Sequence, residues 1–192
     1  MSGTFPTSPT PASIKISSIQ PTLVSVAHSL KRQARSRGSQ RWMMDIDYPP
    51  LTRSDFAPVY AFAIAQQGQY GTFTFVPPIY GSTSGSATGT LLVNNVSGYS
   101  AGDSTIIADG LTGTLKAGDF IKFAGHDKVY MLTADGSTSL TIEPPLLEAV
   151  LDNEQIHYTN VPFKMAFAAD VQEFSRGAQD LHDFSVSMVE VL

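Results

Sequence analysis

Four histidines, His28, His126, His157 and His182, are the side chains suited to acid–base work or metal ligation near neutral pH. No two stand at i,i+4 or HxH spacing, so no single element offers a pair of them to an ion. His126 with Asp127 in AGHDKVY could be half of a catalytic pair, but the pair falls where a hairpin turn is expected, and a turn is the reading it receives. No GxSxG, P-loop, GxGxxG or HExxH occurs, and the glycines of GSTSGSATGT, 81–90, do not join a strand to a helix as a phosphate cradle must. Paired carboxylates for glycoside cleavage could come from remote positions, and nothing in the sequence supports them. Cysteine is absent, which excludes disulfides, thiolate metal sites and cysteine nucleophiles together. The expectation is a protein that is not an enzyme, with no catalytic residue, no cofactor and no metal.

The one concentrated charge is basic. Lys31, Arg32, Arg35, Arg37 and Arg41 hold five of the twelve basic residues, and no acid lies between them. Three readings fit this run: a solvated hairpin tip, a contact with acidic surface on a neighbouring subunit, or a phosphate contact. Subunit or partner contact is the role assigned to these five. The chain as a whole carries a net charge of −5 and a pI near 5.2, which argues against a dedicated or sequence-specific nucleic-acid binder. Its charged fraction of 15% lies below the usual quarter, as expected of a surface shared between subunits. No apolar run is long enough to span a bilayer, and residues 1–19 lack a basic n-region followed by an apolar core, so neither a membrane nor an export signal is expected.

The elements that must position these residues are mostly strands. Residues 1–14 are Ser/Thr/Pro-rich without apolar period and read as a flexible arm, or one ordered by a neighbour. Ile14, Ile16, Leu23, Val24 and Val26 then take up strand alternation, which Trp42, Met44 and Ile46 resume beyond a polar stretch at 30–40. This predicts an antiparallel pair with a long basic tip. Tyr48-Pro49-Pro50 ends the strand, because proline cannot donate to a ladder. Thr52 or Ser54 can cap a helix with Asp55 in its first turn and an apolar face of Phe56, Val59, Tyr60, Ala63 and Ile64, with Pro58 disturbing only its start. Gly68 and Gly71 bracket its exit into the strand TFTFV, 72–76.

Residues 79–90 are a flexible connector by composition. Six short β runs follow, at 91–93, 105–108, 119–123, 128–132, 139–142 and 155–158, with turns at Asp109-Gly110, Gly125-His126-Asp127 and Asp135-Gly136. They predict a small barrel or sandwich. Ala101-Gly102-Asp103 before STIIA echoes Ala117-Gly118-Asp119 before FIKFA, a pseudo-repeated strand pair. The chain ends in the style of its beginning: Phe163, Met165 and Phe167 form a strand, 176–180 a turn, and Phe184, Val186, Met188 and Val191 a last strand. That strand is expected beside 41–48.

The fold class is therefore mainly all-β. Residues 15–78 and 161–192 are expected to form one discontinuous sheet domain with one flanking helix, which the resemblance described next implies to be a β-sandwich, and 79–160 an inserted small β-barrel. The order of Trp42 with its alternating neighbours, PPLTR at 49–53, AFAIAQQGQYGTF, FKMAFAADVQEF and FSVSMVEVL resembles small tail-tip proteins of long-tailed bacteriophages. The segment TLKAGDFIKFAGHDKVYMLTADGSTSLTIEPPLLEAV, 114–150, is similar to the β module inserted in such proteins. The resemblance covers most of the chain from about residue 23.

It implies a distal tail or baseplate-hub component with a tail-tube-like sandwich. Such a protein forms a ring, commonly a homohexamer, at the distal end of the tail tube. Its partners are itself, the tail tube protein and baseplate hub or tail-tip proteins. Its place is the virion tail, assembled in the bacterial host cytoplasm. Tube and adaptor positions remain open under the same resemblance. A different class of function is a carbohydrate- or receptor-binding module of the particle, in which Tyr80, Tyr99, Tyr130 and Tyr158 would line a sugar.

Overall fold

The computed structural model describes residues 3–177 and 180–192. Four strands open the chain: β1 (Ser13–Ile19), β2 (Thr22–Val26), β3 (Arg32–Ser36) and β4 (Arg41–Asp47). β1 runs antiparallel to β4 with Ile14 opposite Ile46 and Ile16 opposite Met44. The apolar alternation is the cause, since period two puts these side chains on one face. Met44 and Ile46 are wholly buried there. The opposite face carries a polar row across three strands, Lys15, Asp45 and Ser187, with the Ser187 hydroxyl donating to Asp45 Oδ1 at 2.5 Å.

Helix α1 (Arg53–Ala65) follows, then β5 (Phe73–Phe75). Thr52 is the N-cap, and its hydroxyl donates to the Asp55 carboxylate at 2.7 Å. Pro58 lies inside the helix without ending it. The buried helix face is Phe56, Val59 and Ala63, whereas Ile64, expected on that face, is 54% exposed. Phe62 is the reason the face turns the other way: its ring packs against Phe5 and Phe73 at 5.5 Å from each. The exit from α1 needs Gly71, whose Cβ, if present, would lie 2.6 Å from the Gln66 carbonyl.

Phe5 also corrects the expectation for 1–14. It is buried, its ring 5.6 Å from Phe73, and Ser13 and Ile14 already belong to β1, so the described part of that segment is built into the fold. One aromatic side chain with a pocket supplies what the Ser/Thr/Pro composition lacks.

Six strands of the middle segment close a barrel: β6 (Thr88–Val93), β7 (Thr105–Thr112), β8 (Phe120–Phe123), β9 (Val129–Leu132), β10 (Ser139–Glu143) and β11 (Gln155–His157). Their order around the barrel is β10-β7-β6-β11-β8-β9. Inward residues Leu91, Ile106, Ile121, Phe123, Tyr130, Leu140 and Ile156 fill it at 0–1% exposure, which makes it a packed core and not a channel. Asp109-Gly110 does not turn the chain: both lie within β7, where Gly110 has φ 79° and the β6–β7 register shifts between Gly89 and Leu92. A bulge uses the same glycine signal as a turn.

The AGD echo is structural. In each copy the Asp carboxylate accepts the N–H three residues earlier, Ser100 to Asp103 and Lys116 to Asp119, at 2.9 and 2.8 Å, and the glycine has φ 99° and 95°. Asp119 does more than Asp103. It also accepts the Ser84 N–H and hydroxyl at 2.8 and 2.9 Å and the Thr83 hydroxyl. That grip corrects the flexible-connector reading of 79–90, since its middle is tied to Asp119 and its end is already β6.

The last strands are β12 (Phe163–Phe167), β13 (Phe174–Arg176) and β14 (His182–Glu190). β14 lies beside β4, with Val186 opposite Ile46 and Met188 opposite Met44, as the paired alternations require. The sheet order is β1-β4-β14-β12-β5, with β13 on β14. The turn expected at 176–180 includes Ala178 and Gln179, which lie outside the described residues. The protein is thus mainly β, with one helix and a closed six-strand barrel. The chain divides into two compact units, Met1–Phe73 with Met165–Val191, and Thr74–Lys164. The second unit reaches beyond 79–160 because Val161 donates to the Gly81 carbonyl at 2.8 Å and Phe163 packs its ring 5.3 Å from Phe120.

Candidate functional site: an exposed basic hairpin

β2 and β3 form a two-stranded hairpin of their own, with Leu23 opposite Arg35, Val24 opposite Ala34 and Val26 opposite Arg32. Every residue of both strands is exposed. The expectation for this region was an alternating strand with the basic residues gathered at its tip. Instead the tip is 27–31, where Leu30 turns at φ 63° and its N–H donates to the Ala27 carbonyl at 2.8 Å. Of the five basic residues only Lys31 is in the turn; Arg32 and Arg35 are in β3, Arg37 follows it, and Arg41 begins β4 in the large sheet.

Pairing geometry disperses this set. Arg32 and Arg35 are three apart in a strand and therefore point to opposite faces. Arg35 shares a face with Leu23, and Arg32 with Val24, Val26 and Ala34. None of the five makes an ion pair among the described residues, although the lysines at 15, 116 and 164 all do.

Sequence reasoning missed the apolar half of the arm. Leu23, Val24, Val26 and Leu30 are 50–83% exposed, where alternation placed the first three in a half-buried strand. A signal was present: Leu23 and Val24 adjoin, so apolar side chains fall on both faces of β2, a pattern that suits a strand covered on neither side or on both. Two isolated strands are marginal in water, and this pair leaves valines, leucines and guanidinium groups exposed to it.

The remaining candidates are structural. His126 is buried, its Nδ1 3.2 Å from the Tyr130 hydroxyl and its Nε2 3.3 Å from the Ala149 carbonyl. Asp127 instead meets Lys164 Nζ at 2.5 Å and Lys122 Nζ at 3.9 Å, so the two neighbours form no catalytic pair. His182 stacks on Phe56 at 4.8 Å. His28 sits exposed in the arm's turn, and His157 ends β11. Among the described residues no three His, Asp or Glu side chains gather at a spacing that could hold a metal ion, and no helix is long and apolar enough to cross a membrane.

The four tyrosines proposed to line a sugar do not share a surface. Tyr130 fills the barrel, and Tyr158 is buried with its hydroxyl donating to the Gly89 carbonyl at 2.6 Å. Tyr99 uses its hydroxyl to accept the Ile107 N–H at 2.8 Å, which leaves Tyr80 as the most open of the four. No family model matches the chain, and no curated protein matches it.

Proposed function

We propose that the protein is a structural component of a bacteriophage tail, forming a ring at the distal end of the tail tube and linking the tube to the baseplate or tail tip. The observation that carries this reading is the β2–β3 arm: ten strand residues exposed on both faces, apolar and basic, with no ion pair on any of its cations among the described residues. Such a feature stabilises nothing in a lone chain and gains its apolar and electrostatic free energy only against another surface. The large sheet adds two outer strands, β1 and β5, whose outward backbone groups can meet a neighbouring copy. A heterologous contact of that kind closes into a ring when its rotation divides a circle.

In this reading the partners are further copies of the chain as a homohexamer, the tail tube protein on one side of the ring and hub or tail-tip proteins on the other. The protein is carried in the virion tail after assembly in the bacterial cytoplasm. Electron microscopy of the purified protein tests the reading directly. Rings with a central hole are expected; a monodisperse monomer at every concentration overturns it.

A further inference from the structure

The first unit holds an acidic groove as well as the basic arm. Asp47, Tyr48, Glu173, Phe174, Asp183 and Phe184 are its principal lining residues, around a cavity of about 430 Å³. β4 supplies Asp47, and the β13–β14 pair supplies Phe174 opposite Phe184. Tyr48 and Phe184 stack at 6.0 Å, and Phe174 leaves 44% of its surface open. The Asp47 carboxylate accepts the Ser13 hydroxyl at 2.9 Å, while Glu173 and Asp183 have no side-chain partner among the described residues. Tyr48 is 7% exposed, yet its hydroxyl has no hydrogen-bond partner among the described residues, a costly state for a buried polar atom.

Carboxylates and aromatic rings lining one groove suit a planar cation bearing several N–H donors. A guanidinium group has that shape: it can pair with a carboxylate through two parallel bonds and lie on an aromatic face. Lysine offers a point charge and no plane. The unit carries its own supply, since Arg35 stands exposed on β3 with Leu23 across the strand pair and no acid lies between residues 17 and 44.

We propose that the arm of one copy docks into this groove on a second copy, with Arg35 as the arginine that enters between Glu173 and Asp183 over Phe174. Leu23, beside Arg35, covers the open face of Phe174, and the guanidinium donates to the two carboxylates. The contact is heterologous, arm to groove, so each copy offers one of each and the chain of contacts propagates until it closes. The inference rests on the ring reading and adds to it which surfaces meet.

The test uses the full chain and its lack of cysteine. Arg35→Cys and Glu173→Cys are made separately, mixed, and oxidised. A disulfide-linked heterodimer on a non-reducing gel is expected, and Arg35→Cys mixed with Tyr70→Cys, whose site is 82% exposed elsewhere on the same unit, should give none. In parallel, Arg35→Glu and the double variant Glu173→Lys with Asp183→Lys should each weaken self-association in sedimentation by on the order of tenfold or more, and mixing the two should restore it. Both surfaces are exposed, and Trp42 fluorescence checks that the variants fold. A parent that is monomeric throughout overturns the ring reading and this one together. Multimers that form without the crosslink, and with undiminished association of the charge variants, leave the ring reading standing and overturn the arm-to-groove contact.

Discussion

The backbone N–H of Trp42 donates to the carboxylate of Glu190 at 3.1 Å, although 148 residues separate them. Backbone pairing between β4 and β14 ends with Met43 opposite Val189, and one step further the side chain of Glu190 takes over as acceptor. The two ends of a discontinuous unit are thus joined by six core side chains and a final buried hydrogen bond. Glu190→Ala should lower the stability of that unit by about 1 to 3 kcal/mol, the cost of an unsatisfied buried donor. Trp42 is the only tryptophan, so denaturant titration followed by its fluorescence reads this unit selectively.

Removal of 184–192 should have a far larger effect. Phe184, Val186 and Met188 are all at most 4% exposed, and each contributes roughly 1.5 to 3 kcal/mol by burial, against about 5 to 15 kcal/mol for a typical domain. The first unit is expected to unfold and self-association to vanish, while amide exchange shows the barrel still protected. A truncated chain that still assembles would mean that β14 is dispensable to the sheet.

The segment Thr74–Lys164, made alone, should fold, because its closed barrel surrounds a core of its own. Replacing it in the full chain by a short Gly/Ser linker should leave the first unit folded, with native Trp42 fluorescence. Random-coil circular dichroism from either product, under conditions where the parent folds, contradicts the division.

Changing Arg32, Arg35 and Arg37 together to Ser should shift the melting temperature by no more than a degree or two, since exposed charges contribute within about 1 kcal/mol to a fold. Self-association should fall, and salt added to the parent should imitate the loss. Equal assembly of parent and variant at low and high salt would reduce the arm to a solvated hairpin.

Acid and alkali should act on different units. Desolvation pushes the Asp119 carboxyl up, but the bonds from Ser84, Thr83 and Lys116 outweigh it and hold the group below its ordinary value. Its contribution is full above the unfolded value near ~4 and is lost as pH falls through the depressed folded value. Asp119→Asn should flatten that acid limb for the barrel. Burial pushes the Tyr48 phenol up to about 12, so its contribution is full below the unfolded value near ~10 and is lost as pH rises from there toward the folded one. Tyr48→Phe should flatten the alkaline limb read by Trp42.

Much of this architecture was legible because its signals are local and periodic. The alternations at 42, 44, 46 and at 184, 186, 188 named two strands and their shared face, and the six short runs with turn residues named the barrel. The duplicated AGD marked two equivalent turns, which the Ser100–Asp103 and Lys116–Asp119 bonds realise. Where reading failed, a distant partner overrode composition: Phe73 orders Phe5, Asp119 orders Thr83 and Ser84, and Phe62 turns the helix away from Ile64.

The candidate site divides in the same way. The sequence alone determined that five cations without acids occupy 31–41, that no cysteine or spaced histidine pair offers chemistry, and that β strands dominate, since composition and period are properties of the chain itself. Only the tertiary structure decided that β2 and β3 leave the sheet as an exposed pair and that Arg32 and Arg35 face apart. It also decided that Asp47, Glu173 and Asp183, up to 136 residues apart in sequence, border one groove. Strand register and long-range pairing fix those relations, and neither is written in any single stretch of residues.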